Sequence, residues 1–152
     1  MRFSTIISGF AFTASAFAAP SIILHNNCDF DVFVTSVGKT SGNTTRVHPD
    51  VPWIEEEYFD GTGTAIKIGR TAAALWTAKP TLHLSYTYSR GQSLYYDLST
   101  TYGFDFWGKK ITVKGDDDKE VPSIEWDGAP ELIQHTQSYF GETGLTLEIC
   151  AA

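Results

Sequence analysis

The chain has 152 residues, 42% hydrophobic and 14% aromatic, with 11 Lys and Arg against 18 Asp and Glu for a net charge of −7. That length suits one domain with a real core and not two. The acidic balance excludes nucleic acid and anionic lipid as partners, since both are held through Lys and Arg, and the aromatic share favours strands.

Met1-Arg2 is a short basic start, residues 3–14 are apolar and softened by Ser and Thr, and Ala16-Phe17-Ala18 is an A-x-A cleavage site. Residues 1–18 therefore read as a secretory signal peptide and residues 19–152 as one mature domain. No later stretch reaches 18 consecutive apolar residues, and the chain ends without a hydrophobic tail, so neither a membrane span nor a lipid anchor is expected. The expected product is a secreted monomer, extracellular or cell-wall associated.

Residues 22–37, I-I-L-H-N-N-C-D-F-D-V-F-V-T-S-V, anchor the mature chain. Phe30, Val32 and Val34 share one face of an extended strand, and Asp29, Asp31 and Phe33 the other. Residues 38–52 are rich in Gly, Ser, Thr and Pro and read as a loop, on which Asn43-Thr44-Thr45 is an N-glycosylation acceptor. Residues 53–60 make a short strand or turn around Glu55, Glu56 and Glu57. Gly61 and Gly63 lack the third glycine of a dinucleotide fingerprint, so they read as a turn into a strand over residues 65–70.

Residues 81–88 alternate cleanly, with Leu82, Leu84, Tyr86 and Tyr88 on one face and His83, Ser85 and Thr87 on the other. A turn at residues 89–92 leads into residues 94–98, completing a hairpin. Residues 110–114 and 121–126 add two strands around a charged connector. The last strand carries Leu145, Leu147 and Ile149 on one face and ends at Cys150. Only Cys28 and Cys150 are present, both on strand-like segments at opposite ends of the mature chain, and in an oxidising compartment they are expected to pair. Seven or eight short strands without a helical period predict an all-β, antiparallel β-sandwich joined first strand to last by that disulfide.

Chemical motifs are sparse. There is no G-x-S-x-G, and no nucleophile stands beside a His and an acid. His25, His48, His83 and His135 are scattered rather than at metal-ligand spacing. Asp116, Asp117 and Asp118 lack the spacing and closing Glu of a calcium loop and read as a solvated turn. No metal and no cofactor is expected. Tyr95, Tyr102, Trp107 and Trp126 are the aromatics offered for sugar stacking.

The run H-N-N-C-D-F-D-V-F-V resembles the opening of thaumatin-like proteins, whose first and last cysteines pair. Residues 81–105 resemble that family's segment from T-L-A-E to Y-D-I/V-S-x-x-D-G-F/Y-N, with Tyr96, Asp97, Ser99, Gly103 and Phe104 in place. The chain length, the two cysteines and the leader are most similar to the small fungal group that includes the Blastomyces yeast-phase-specific proteins. The resemblance implies a thaumatin-like sandwich and a cleft of one Arg, one Glu and three Asp, to which glucan binding and weak β-1,3-glucanase activity are attributed. Arg70 matches the Arg position and Asp97 the first Asp, but the Glu falls on Leu84 and the Asp before Gly on Tyr102. Arg70, Asp97, Tyr102 and Asp105 are the expected cleft residues, with Arg70 and Asp97 expected within a few ångströms of each other on neighbouring strands.

Hydrolysis of a glycosidic bond ordinarily takes two carboxylates, and here one of the pair is replaced by leucine. The expected function is therefore that of a non-enzymatic protein at the fungal surface or host interface, as adhesin, antigen or effector, meeting cell-wall β-glucan or a host surface protein. The alternatives are a glucan-binding module and a degenerate glucanase using Asp97 with Asp105.

Overall fold

The computed structural model describes residues 19–131, 133 and 136–152. The expected leader, residues 1–18, and His135 lie outside the described residues. Alternating side chains produce eleven strands among them: β1 (Ser21–Asn26), β2 (Val32–Val37), β3 (Thr45–Val47), β4 (Trp53–Glu56), β5 (Thr64–Gly69), β6 (Thr81–Ser89), β7 (Ser93–Thr101), β8 (Lys110–Gly115), β9 (Ile124–Asp127), β10 (Gln137–Tyr139) and β11 (Leu145–Ile149). A single 3₁₀ turn, Ala74–Trp76, interrupts them.

Two sheets face one another. The five-stranded sheet has the order β4-β1-β11-β8-β9, and the six-stranded sheet the order β10-β7-β6-β5-β2-β3. Ile22, Leu24, Ile111, Val113, Trp126, Leu145 and Leu147 point inward from the first. Val34, Ile66, Ile68, Leu82, Leu84, Tyr96 and Leu98 meet them from the second. These form one contiguous buried cluster, so the chain is a single β-sandwich. Leu82, Leu84, Tyr86 and Tyr88 are all buried while His83, Ser85 and Thr87 are not, as the alternation predicts.

The anchor stretch is divided rather than continuous. β1 belongs to one sheet and β2 to the other, and the break is organised by Asn26, which is fully buried. Its Nδ2 donates to the carbonyls of Phe30 at 2.9 Å and Val47 at 3.1 Å, and its Oδ1 accepts from the amide of Cys28 at 3.2 Å. An amide side chain standing in for ladder partners lets the backbone leave one sheet and enter the next without orphaned polar groups.

Most pairings are antiparallel, but β1 and β11 run parallel, from Ile22 opposite Leu145 to Asn26 opposite Ile149. Both strands therefore end on the same side. Cys28 and Cys150 lie just beyond those ends and are bonded, with Cα atoms 5.1 Å apart and a sequence separation of 122. In the chain-entropy picture, closing a loop of that size stabilises by roughly 4 to 5 kcal/mol.

Shorter elements depart from the expected boundaries. The segment read as a loop contains β3, an edge strand held to β2. Asp31 accepts from Arg46 Nε at 2.8 Å and meets His48 Nδ1 at 2.7 Å, which fixes that edge. β9 begins at Ile124, after Pro122, whose nitrogen carries no hydrogen for a ladder. β10 pairs with the outer edge of β7. Asp116 does not stand free: its Oδ2 accepts from Lys119 Nζ at 2.8 Å and from the amide of Gly144 at 3.2 Å.

Candidate functional site

The outward face of the six-stranded sheet carries the candidate site. Cross-strand registry sets Ala65 of β5 beside Ser85 of β6, and Ser85 beside Asp97 of β7. Their inward neighbours, Ile66, Leu84 and Leu98, are buried, so this row faces away from the core. One step along, Thr87 pairs with Tyr95. Thr62 and Gly63 close the groove from the approach to β5, and Thr136 from the approach to β10. The groove holds about 400 Å³. Gly63 leaves the approach open, since a Cβ there would lie 2.9 Å from the Thr87 hydroxyl and 3.2 Å from the Tyr86 carbonyl and would push on both.

Asp97 is the single carboxylate lining this groove. It is half-buried, and its Oδ1 is buried with no hydrogen-bond partner among the described residues. Burial raises its carboxyl above the ordinary aspartate value, opposed by the Ser85 hydroxyl. Around it stand hydroxyl groups from Thr62, Ser85, Thr87 and Thr136. Tyr95, 43% exposed, is the accessible ring of the lining, and Phe140, 75% exposed, packs edge-on against it at 85° and 6.3 Å between centroids. Such a surface offers hydrogen bonds without strong charge, together with an accessible ring.

The other expected cleft residues do not gather here. Arg70 follows the end of β5, whose last residue, Gly69, shares a row with Thr81 and Thr101, whereas Asp97 shares the row of Ala65 at the start of β5. β6 lies between the two strands. The guanidinium of Arg70 sits 3.3 Å above the centre of the Phe30 ring, so its partner is an aromatic face and not Asp97. The expected Arg70–Asp97 pair on neighbouring strands is thus corrected: motif spacing reported neither the intervening strand nor the end of the sheet.

Tyr102 and Asp105 are exposed on the connection after β7, and neither lines the groove. Tyr102 has φ 59° and is followed by Gly103 at φ 108°, two left-handed residues that turn the chain away from the sheet. Leu84, at the position of the family's glutamate, is buried in the core, and its outward neighbours are His83 and Ser85 rather than an acid. Burial, reinforced by Lys67, pushes the His83 imidazole down to about 4, so it is neutral at physiological pH.

Of the aromatics proposed for stacking, Trp126 is core, 1% exposed and edge-on to Phe104 at 5.9 Å. Trp107 is 66% exposed but lies against Phe104, away from the groove. Asn43 is exposed, and its sequon is open to solvent. Among the described residues no group of three or more His, Cys, Asp or Glu is arranged to hold a metal. The groove's hydroxyl row escaped sequence reasoning. The odd positions 83, 85, 87, 95 and 97 were readable as one outward face, but nothing in the pattern placed Thr62 or Thr136 beside them.

Comparisons with known proteins agree with this architecture. The protein elicitor MoHrip2 from Magnaporthe oryzae superposes with a TM-score of 0.72 at 21% identity, over 88% of this chain and all of that one. The thaumatin-like xylanase inhibitor TLXI superposes with a TM-score of 0.61 at 16% identity, again over 88% and 100%. No curated protein matches significantly. Residues 9–151 match the Blastomyces yeast-phase-specific protein family, and with that match spanning nearly its whole length the chain belongs to this family as a small fungal thaumatin-like protein.

Proposed function

We propose that the protein is secreted and works without catalysis at the fungal cell surface or host interface, where the groove beside Asp97 engages a neutral glycan of the β-1,3-glucan type. The observation that carries this reading is a hydroxyl-lined groove with the exposed ring of Tyr95 on its lining and a single carboxylate among its described lining residues. Glycosidic cleavage needs an acid and a base or nucleophile across the bond, about 5 to 10 Å apart. Asp97 has no such companion among the lining residues, and Asp105 is outside them. A sugar ring stacked on Tyr95, with its hydroxyls toward Ser85, Thr87 and Asp97, uses what the groove does contain. An adhesin, antigen or effector role fits the elicitor and inhibitor descriptions of the two structural neighbours.

The test is a pull-down of residues 19–152 on insoluble β-1,3-glucan, with reducing-sugar release measured in the same tube. Retention without release is expected, and loss of retention in Tyr95→Ala locates the site. Release abolished by Asp97→Asn would restore the hydrolase reading. Neither retention nor release would leave a host surface protein as the partner.

A further inference from the structure

At the edge of the sandwich away from Asp97, the sequence leaves an acid where the fold has no ordinary use for one. Glu57 follows β4 and its amide donates to the Pro20 carbonyl at 2.9 Å, so the chain entering β1 lies directly beside it. The residue is 4% exposed, and both carboxylate oxygens are buried without a hydrogen-bond partner among the described residues. A buried unpaired carboxylate is among the costliest groups a fold can carry.

Glu57 lines a pocket of about 130 Å³ together with Ala19, Pro20, Glu56, Tyr88, Arg90 and Glu142. Glu142 is already engaged, its Oε1 accepting from the Tyr88 hydroxyl and from the Gly91 amide, each at 2.9 Å. Burial, followed by the fields of Asp116 and Glu142, pushes the Glu57 carboxyl up to about 8, against the opposing influence of Lys119. Arg90 stands at the pocket but makes no hydrogen bond to Glu57. The pocket is therefore anionic, partly enclosed and short of one cation.

Ala19 is the residue that cleavage after Ala18 would make the first of the mature chain. We propose that this pocket is a receptor for the α-ammonium group of Ala19, so that removal of the leader supplies the counter-charge Glu57 lacks and locks the start of β1 against the β4 edge. The cleavage hydrolyses the Ala18–Ala19 peptide bond: water's hydroxyl goes to the Ala18 carbonyl, and the freed Ala19 amine takes up a proton. The ligand class is a primary ammonium, and a leader still joined at Ala19 presents only a neutral amide in its place. The inference rests on the leader reading and is independent of the glycan groove.

The sign of the pH dependence follows. Without the ammonium, Glu57 holds its proton more tightly folded than unfolded, so stability falls as pH rises from about 4.5 toward 8. With the ammonium present that loss disappears. The groups facing Glu57 in this balance are Glu56, Tyr88, Arg90, Glu142, Asp116 and Lys119.

The test begins with the intact mass of the secreted protein, which establishes whether it starts at Ala19; any other first residue overturns the inference. The secreted form is then compared with one carrying an added Gly before Ala19 and with Glu57→Gln. The ¹³C-methylated α-amine of the secreted form is expected to titrate at least one unit above its ordinary value of about 8, and to return to that value in Glu57→Gln but not in Arg90→Gln. The Gly-extended form is expected to melt roughly 3 to 6 °C lower at pH 7 and to converge with the secreted form below pH 5. An ordinary amine titration, or equal melting at pH 7, overturns it.

Discussion

Replacing Asn26 by Ala tests how the chain passes from one sheet to the other. The side chain is fully buried and makes three hydrogen bonds, to the Phe30 and Val47 carbonyls and from the Cys28 amide, at 2.9 to 3.2 Å. Truncation leaves those three backbone groups in the interior with no replacement partner. Each such group costs about 1 to 3 kcal/mol, and partial relaxation or an entering water lowers the sum, so a loss of roughly 3 to 5 kcal/mol is expected. Against a domain stability of about 5 to 15 kcal/mol, this moves the denaturation midpoint by a large fraction of its value. Urea unfolding followed by tryptophan fluorescence reads it directly, with the slope unchanged if the denatured state is unaffected. Asn26→Asp keeps Oδ1 for Cys28 but gives up both donors, so it is expected to be nearly as damaging at neutral pH. A loss below about 1 kcal/mol in Asn26→Ala would refute the assignment of the sheet switch to this side chain.

Replacing both Cys28 and Cys150 by Ala is expected to cost about 2 to 5 kcal/mol, and unreduced mass spectrometry is expected to find no free thiol; two alkylatable cysteines would contradict the bonded corner. Trp126→Ala, which empties a side chain that is 1% exposed, is expected to lose about 3 to 5 kcal/mol in the same assay, whereas Trp107→Ala, at a largely exposed ring, is expected to lose far less. His83 is expected to titrate by NMR at about 4. Because its folded value lies below its ordinary one, stability falls as pH drops from about 6.5 toward 4, and His83→Gln removes that slope. Asp31, held low chiefly by its hydrogen bond to Arg46, contributes stability above its ordinary value near 3.8 that is lost as pH falls further, and Asp31→Asn abolishes this acid limb.

The sandwich was legible wherever alternation ran long enough to declare a face. β6, β7 and β11 are five to nine residues long, and their buried sides are the ones the period-two pattern names. β3 and β10 have three residues each, too few for a period, and exist because a neighbouring edge pairs with them. The parallel β1–β11 pair brings together segments from opposite ends of the chain, and local pattern carries no strand direction. Asn26-Asn27 inside the anchor stretch was the available sign that one strand becomes two.

The candidate groove was reached by only one of the expected cleft residues, for related reasons. Asp97 was reached by motif and lies in the groove, but a motif's spacing does not say which end of a strand a residue occupies. Arg70 fell at the opposite end, over Phe30, and Tyr102 and Asp105 on a loop. Glu57 gave no signal in a run of three glutamates. Glu55 is engaged by the Ser36 hydroxyl at 2.6 Å and Glu56 is exposed, and only the chain beside Pro20 buries the third.

The most direct measurement of the central claim is an amide NMR titration of the ¹⁵N-labelled mature protein with a soluble β-1,3-gluco-oligosaccharide, with the sample assayed afterwards for new reducing ends. Saturable shifts confined to Ser85, Thr87, Tyr95, Asp97 and Thr62, with the oligosaccharide intact, are predicted. Shifts centred on Tyr102, Asp105 and Trp107, or an oligosaccharide shortened in the tube, would contradict a non-catalytic groove at Asp97.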